Sequence, residues 1–297
     1  MKKLSTSSKQ NKTFWGYWEA FLSIFINIIL FSLKYWIGLK TASIAIIADA
    51  WHTLSDSFSS VILYFGFRIS AKPADSKHPF GHGRAELISS LIIGTILFII
   101  GFNIFLEALE KFKIHHSANY SKAAVFIIIL SIVLKEALAI FSFRTGKKTD
   151  SQLLKTDGWH HQSDALSSLL ILIGISLKQF FWWIDSFMGM GMSVLLFYAA
   201  CNVMKKSVSV LIGEAPDDEL MSKIEAVIKK NTYHNVIPHH LHCHNYGNHR
   251  EITFHIVLPA EMKLKDAHEI VEKIENSIRK ELNIEPTIHI DPFSQNE

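Results

Sequence analysis

Long apolar runs fill the first two thirds of the chain, and short mixed ones fill the last third. A bilayer core of about 30 Å takes roughly 20 predominantly apolar residues in a helix, because every backbone polar group there has to be satisfied internally. Six runs meet that length: Phe14 to Gly38, Ala42 to Ser70, Leu87 to Leu109, Ala123 to Phe143, Trp159 to Leu177 and Phe180 to Met204. The first is too long for the apolar core of a cleaved leader and no small-residue cleavage pattern follows it, so it reads as a retained span. After Gly213 the period changes. Ile224, Val227 and Ile228 mark a helix, Val236 to Leu241 and the alternating Ile252 to Leu258 read as strands, Ile270, Val271, Ile274 and Ile278 share one face of a second helix, and Thr287 to Ile290 closes as a short strand. The expected architecture is an all-α bundle of six transmembrane helices over residues 1–209, followed by a cytoplasmic α+β domain of the ferredoxin-like kind over residues 210–297.

Composition agrees with two environments. Hydrophobic residues make up 49% and charged residues 19%, and mean hydropathy is +0.21, which excludes a disordered, collagen-like or coiled-coil chain. Up to residue 209 there are 21 Lys and Arg against 12 Asp and Glu, a balance of +9; beyond it 9 stand against 15, a balance of −6. The cations before residue 209 gather in alternate loops: the N-terminal tail, the loop with Lys72, Lys77 and Arg84, the loop with Arg144, Lys147, Lys148 and Lys155, and the exit at Lys205 and Lys206. Positive loops stay in the cytoplasm, so a multi-pass protein of the cell membrane with both termini inside is expected. Cys201 and Cys243 fall in different environments and give no disulfide framework.

The chemistry lies in an internal repeat. Asp49-Ala-Trp51-His52-Thr-Leu-Ser55-Asp56-Ser-Phe-Ser59-Ser60 in the second span matches Asp157-Gly-Trp159-His160-His-Gln-Ser163-Asp164-Ala-Leu-Ser167-Ser168 in the fifth at seven of twelve positions. In each copy His and the second Asp are four apart, one turn above one another on a single helix face. An ionised Asp at that depth is costly unless paired, hydrated or bound to metal. Two imidazoles and two carboxylates from opposed helices have the number and chemistry of a tetrahedral Zn²⁺ site, and their charge of −2 cancels the ion. Asp49 and Asp157 read as supporting or entrance charges. Lys135, Glu136 and Asp185 are further charges within spans, with pairing or snorkelling as the default and a proton relay as the alternative.

With the loop Pro73-Ala-Asp75-Ser-Lys-His78-Pro-Phe-Gly81-His82-Gly83-Arg84-Ala-Glu86 and the run Ser43 to Asp49, the repeat resembles the cation diffusion facilitator family of divalent-metal transporters over nearly the whole chain. The resemblance implies a homodimer in which each subunit binds its substrate at His52, Asp56, His160 and Asp164 and exchanges cytoplasmic Zn²⁺ for protons. Two His in the set resemble the zinc group rather than members with Asp in place of one His. No nucleic-acid partner is expected.

Asp75, His78 and His82, in a short loop with Gly81 and Gly83, form a candidate metal site, with Glu86 as an extra donor. Nine of the sixteen histidines lie from His234 to His289. Alternation along a strand places His240, His242 and His244 on one face and His239 on the other. The resemblance implies a regulatory metal site, again for Zn²⁺, from His239, His255, His268, His289 and Asp291. His234 and His249 read equally well as buried, hydrogen-bonded residues. An intramembrane metalloprotease is disfavoured, because no HExxH occurs: His268-Glu269 is followed by Ile270-Val271-Glu272. A membrane-anchored metal sensor does not need six spans.

Overall fold

The computed structural model describes residues 2–70, 72–149, 152–232, 236–247 and 249–293. Six long helices come first: α1 Lys2–Thr41, α2 Ile44–Ser70, α3 Arg84–Lys113, α4 Lys122–Thr149, α5 Gln152–Leu177 and α6 Ile184–Ile212. Then follow α7 Asp218–Asn231, β1 His239–Asn245, β2 Arg250–Pro259, α8 Leu264–Leu282 and β3 Glu285–Phe293. Among the described residues, four stretches are long and apolar enough to cross a membrane: Phe21–Thr41 within α1, Arg84–Lys113, Lys122–Lys148 and Ile184–Ile212. Helices α2 and α5, of 27 and 26 residues, have the length but carry the polar repeat. The sixth run starts later and ends later than its hydropathy suggested: the first residues after Leu177 form turns, and the helix then runs on to Gly213, whose φ of +109° stops it.

The chain divides into two compact units, Met1–Ile62 with Ile92–Met204, and Leu63–Leu91 with Lys205–Glu297. In the first unit, α2 takes part in two cores. Ile44 and Ala48 pack with Leu97 and Ile104 of α3 and Leu196 and Ala200 of α6, while Ile46 packs with Ile37 of α1, Ile127 and Ile128 of α4 and Ile171 of α5. The start of α2 is capped from another helix. Asp185, at the head of α6, accepts from Ile44 N at 2.9 Å, from Ala45 N, from the Ser43 hydroxyl and from Tyr120 Oη at 2.6 Å. A carboxylate at a helix N-terminus satisfies orphan N–H groups and complements the dipole, so this charge within a span is paired and structural. Asp185→Ala leaves four donors without their acceptor and is expected to cost roughly 1–3 kcal/mol per buried donor that stays unpaired. A fall in melting temperature in detergent, largely recovered by Asp185→Asn, checks it.

In the second unit, β1 and β2 are antiparallel and β2 and β3 parallel, in the order β1-β2-β3. Ile252, Phe254 and Ile256 of β2 pack against Ile224, Val227 and Ile228 of α7 and Val271, Ile274 and Ile278 of α8. Both helices therefore cover one face of the sheet, and the other face carries the odd-numbered residues of β2 and β3. The order helix, strand, strand, helix, strand is as the periodicity indicates, though each strand extends beyond or shifts from its apolar run.

Candidate metal centre

The HxxxD faces of α2 and α5 converge. His160 Nε2 lies 3.3 Å from Asp56 Oδ1 and 3.9 Å from Asp164 Oδ2, and His52 Nε2 lies 3.7 Å from Asp164 Oδ1. Donor atoms of His52, Asp56 and Asp164 fall within 4.8 Å of one another. Each contact runs from one copy of the repeat to the other or up one helical turn, as the spacing of four requires. Both carboxylates are buried, while His160 is about half exposed at 48% and borders a cavity of about 390 Å³ that Asp56 also lines. One side of the group thus borders the cavity.

A lysine completes the centre. Lys135 Nζ, on α4, donates to Asp164 Oδ2 at 2.6 Å and lies 3.5 Å from Asp56 Oδ2, with the side chain fully buried. Among the described residues α4 packs extensively along α5, which brings Lys135 to the carboxylates. Its position in the apolar run signalled a buried charge but not which charge it would meet.

Helix α1 supplies partners to both copies of the repeat, which no spacing within the repeat indicates. Lys34 Nζ lies 2.8 Å from Asp49 Oδ2 and donates to Thr53 Oγ1 at 3.1 Å and Ser168 Oγ at 3.2 Å. Asp49 is therefore taken up by an internal ion pair. In the second copy, the position of Thr53 is held by His161, whose Nε2 lies 3.3 Å from Glu19 Oε1, itself the acceptor of a 2.7 Å bond from Ser142 Oγ. Glu19, Asp157 and His161 line the same cavity as Asp56 and His160 and give its wall a negative character. The available signal was the pair of charges, Glu19 and Lys34, inside the first apolar run.

In the loop, Asp75, His78 and His82 meet: His78 Nδ1 is 3.3 Å from Asp75 Oδ1, His82 Nε2 is 3.5 Å from Asp75 Oδ2, and the two rings lie 4.5 Å apart. Backbone N–H bonds from His78 and Lys77 hold the Asp75 carboxyl below the usual carboxylate range. The turn bonds of the ionised carboxylate are thus kept at neutral pH and lost only as pH falls through that lowered value. Glu86 lies in the first turn of α3, outside this group. Gly83 is in contact with the β1–β2 turn, where a Cβ would fall 1.7 Å from Tyr246 O, so only glycine fits. Arg84 lies over the Tyr246 ring at 4.1 Å and donates to Asn245 O, so this loop cation meets an aromatic face and a carbonyl.

The tail histidines depart from simple alternation. His242 pairs with Thr253 but His239 pairs with His255, so β1 carries one extra residue there, and His240 takes a φ of +50°. This bulge turns His239 onto the same sheet face as His255, where alternation had it on the opposite one. His255 is level with His289 and Asp291 is two residues further along β3, on that face. Asp291 Oδ2 lies 2.9 Å from His239 Nε2 and 3.0 Å from His255 Nδ1, and Asp291 Oδ1 lies 3.5 Å from His289 Nε2. The His255 and His239 contacts hold the Asp291 carboxyl below its ordinary range. His268 does not join them. It is exposed on α8, which covers the opposite face of the sheet, so within one chain the sheet itself separates it from the cluster. His249 lies 3.1 Å from Glu251 Oε1, and His234 is outside the described residues.

Comparison with known proteins fixes the family. Residues 20–212 match the model of the cation efflux transmembrane domain, and residues 216–293 match that of the cation efflux protein cytoplasmic domain. This chain belongs to the cation diffusion facilitator family. It is a multi-pass membrane transporter that expels divalent cations, and not an enzyme. An uncharacterised transporter of Methanocaldococcus jannaschii is 33% identical, covering 91% of this chain and 96% of its own length. The manganese efflux system protein MneP of Bacillus subtilis is 30% identical over 92% of this chain and 95% of its own length. The cation-efflux pump FieF of Pectobacterium atrosepticum is 27% identical over 91% and 90%. In this cation diffusion facilitator the repeat, the loop cluster and the tail cluster therefore belong to one transporter.

Proposed function

We propose that this transporter exports Zn²⁺ from the cytoplasm in exchange for protons, as a homodimer, with all six long helices crossing the cell membrane and both termini cytoplasmic. The substrate site is His52, Asp56, His160 and Asp164. The observation that carries the reading is the convergence of both HxxxD faces on one buried point beside a cavity with acidic walls. Neutral imidazoles and ionised carboxylates bind the ion from the cytoplasm. On the outward side, protons compete for the same lone pairs and release it, so one set of atoms serves both species. Two nitrogen and two oxygen donors suit tetrahedral zinc. Manganese is the second reading, favoured by the relative named for manganese efflux and by the share of carboxylate in the set.

The tail, residues 210–297, serves as a ferredoxin-like module without the first strand of the β-α-β-β-α-β unit. It holds the dimer and a regulatory zinc site of His239, His255, His289 and Asp291; Asp75, His78 and His82 form a second cytoplasmic site. Metal there regulates transport by binding one conformation of the dimer more tightly than another.

Zinc is expected to accumulate in liposomes whose lumen is acid, and accumulation is expected to stop when the proton gradient is collapsed. Zinc flux indifferent to that gradient overturns the exchange, and accumulation of manganese in preference to zinc overturns the choice of ion.

A further inference from the structure

Two buried lysines stand among the helices, and their surroundings differ. Lys34 has three oxygen partners, from Asp49, Thr53 and Ser168, which match the three donors of an ammonium. Lys135 has two among the described residues, Asp164 Oδ2 at 2.6 Å and Asp56 Oδ2 at 3.5 Å. Lys34 is therefore fixed by a saturated network. Among the described residues, Lys135 is held by the two carboxylates that a metal ion would take.

We propose that Lys135 is the internal counter-cation of the transport site, lying between Asp56 and Asp164 when no metal is bound, withdrawing when a divalent ion enters, and returning for the step in which the metal-free, proton-carrying transporter reorients. The inference rests on the assignment of the substrate site to His52, Asp56, His160 and Asp164. Two carboxylates with no cation between them leave a charge of −2 in a low-dielectric interior, which the exchanged protons alone would have to offset before the site passes through a closed conformation. The ammonium reduces the charge to −1. An entering divalent ion brings twice the charge of the ammonium and displaces it. A monovalent ion brings no more than Lys135 already supplies, so the residue also selects for divalent cations. The flexible four-carbon stem lets the ammonium withdraw without moving α4, and a guanidinium, which is planar and bulkier, does this less well.

The test uses the full-length protein in liposomes and two measurements on each sample. Exchange of labelled Zn²⁺ for unlabelled Zn²⁺ never requires the metal-free transporter to reorient, and net zinc flux against protons does. For Lys135→Met the ratio of exchange to net flux is expected to rise by about tenfold or more, as an uncompensated charge within the membrane slows the return. The apparent KM for zinc is expected to fall, because an internal competitor is gone. Lys135→Arg, which keeps the charge, is expected to recover some of the net flux. A Lys135→Met protein with the wild-type ratio and KM overturns the inference. So does a parallel loss of exchange and net flux that Lys135→Arg does not relieve, since that is the behaviour of a packing residue. Asp164→Ala separates this from the underlying assignment. It should lose both measurements, and retained exchange there removes the site assignment itself, whatever Lys135 does.

Discussion

Reconstituted Asp164→Ala protein is expected to carry no zinc, and Asp56→Ala the same. Each carboxylate lies against an imidazole of the other helix, so removing either takes one of four donors and half of the site's negative charge. The lysine makes the loss worse. With Lys135 between the carboxylates, the intact centre has a charge of −1; with one carboxylate gone, the lysine neutralises the other and a divalent ion meets no net attraction. Losing even an outer partner of a metal ligand commonly costs about 10–100-fold in affinity, so a direct ligand and its charge together should exceed about a hundredfold. Zinc-driven flux and zinc affinity, measured on the same preparations, test this. Asp56→Asn and Asp164→Asn keep the shape and discard the charge, and are expected to fail as fully. Wild-type flux in any of these four proteins would place the transport path elsewhere.

Asp49→Ala is expected to fail differently, by unfolding. Asp49 and Lys34 are both almost completely buried, and removing the carboxylate leaves an ammonium among the hydroxyls of Thr53 and Ser168 with no counter-charge. Breaking a buried pair from one side commonly costs roughly 3–5 kcal/mol, whereas replacing both partners by apolar groups is often neutral. A large fall in melting temperature in detergent is expected for Asp49→Ala, and most of it should return in Asp49→Ala combined with Lys34→Met. If the single variant melts like the wild type, the pair contributes nothing to the fold. The contrast with Asp164 is instructive, since both are buried aspartates facing a lysine. One pair is closed by neighbouring hydroxyls, and the other opens onto the site.

Much of this was legible in the sequence, for a physical reason. A helix turns once every 3.6 residues, so His52 with Asp56 and His160 with Asp164 had to share faces, and duplication in two long apolar runs pointed to a common centre. The order of elements in the tail could be read in the same way from its two periods. What could not be read depended on contacts between elements distant in sequence. Lys135 reaches Asp164 because α4 lies along α5, and Lys34 reaches Asp49 because α1 borders α2; no spacing encodes either. The repeat made Asp49 and Asp157 look equivalent, yet the former is paired and the latter lines a cavity, because α1 presents Lys34 to the first copy and Glu19 to the second. The tail cluster escaped alternation for a local reason. A single extra residue in β1, at a left-handed histidine, reverses the face of everything before it, and histidine gives little warning of such a conformation.

The cap that Asp185 places on α2 makes that end of the helix a fulcrum. His52 stands eight residues along from Ile44, about 12 Å at 1.5 Å per residue, and Asp56 about 6 Å further. A tilt of about 10° around the fulcrum would displace His52 by roughly 2 Å and Asp56 by roughly 3 Å, comparable with a metal–ligand bond. A swing of about 10° would then be enough to draw the α2 ligands away from those on α5, and the leverage is built into the distance between a carboxylate on α6 and two side chains on α2.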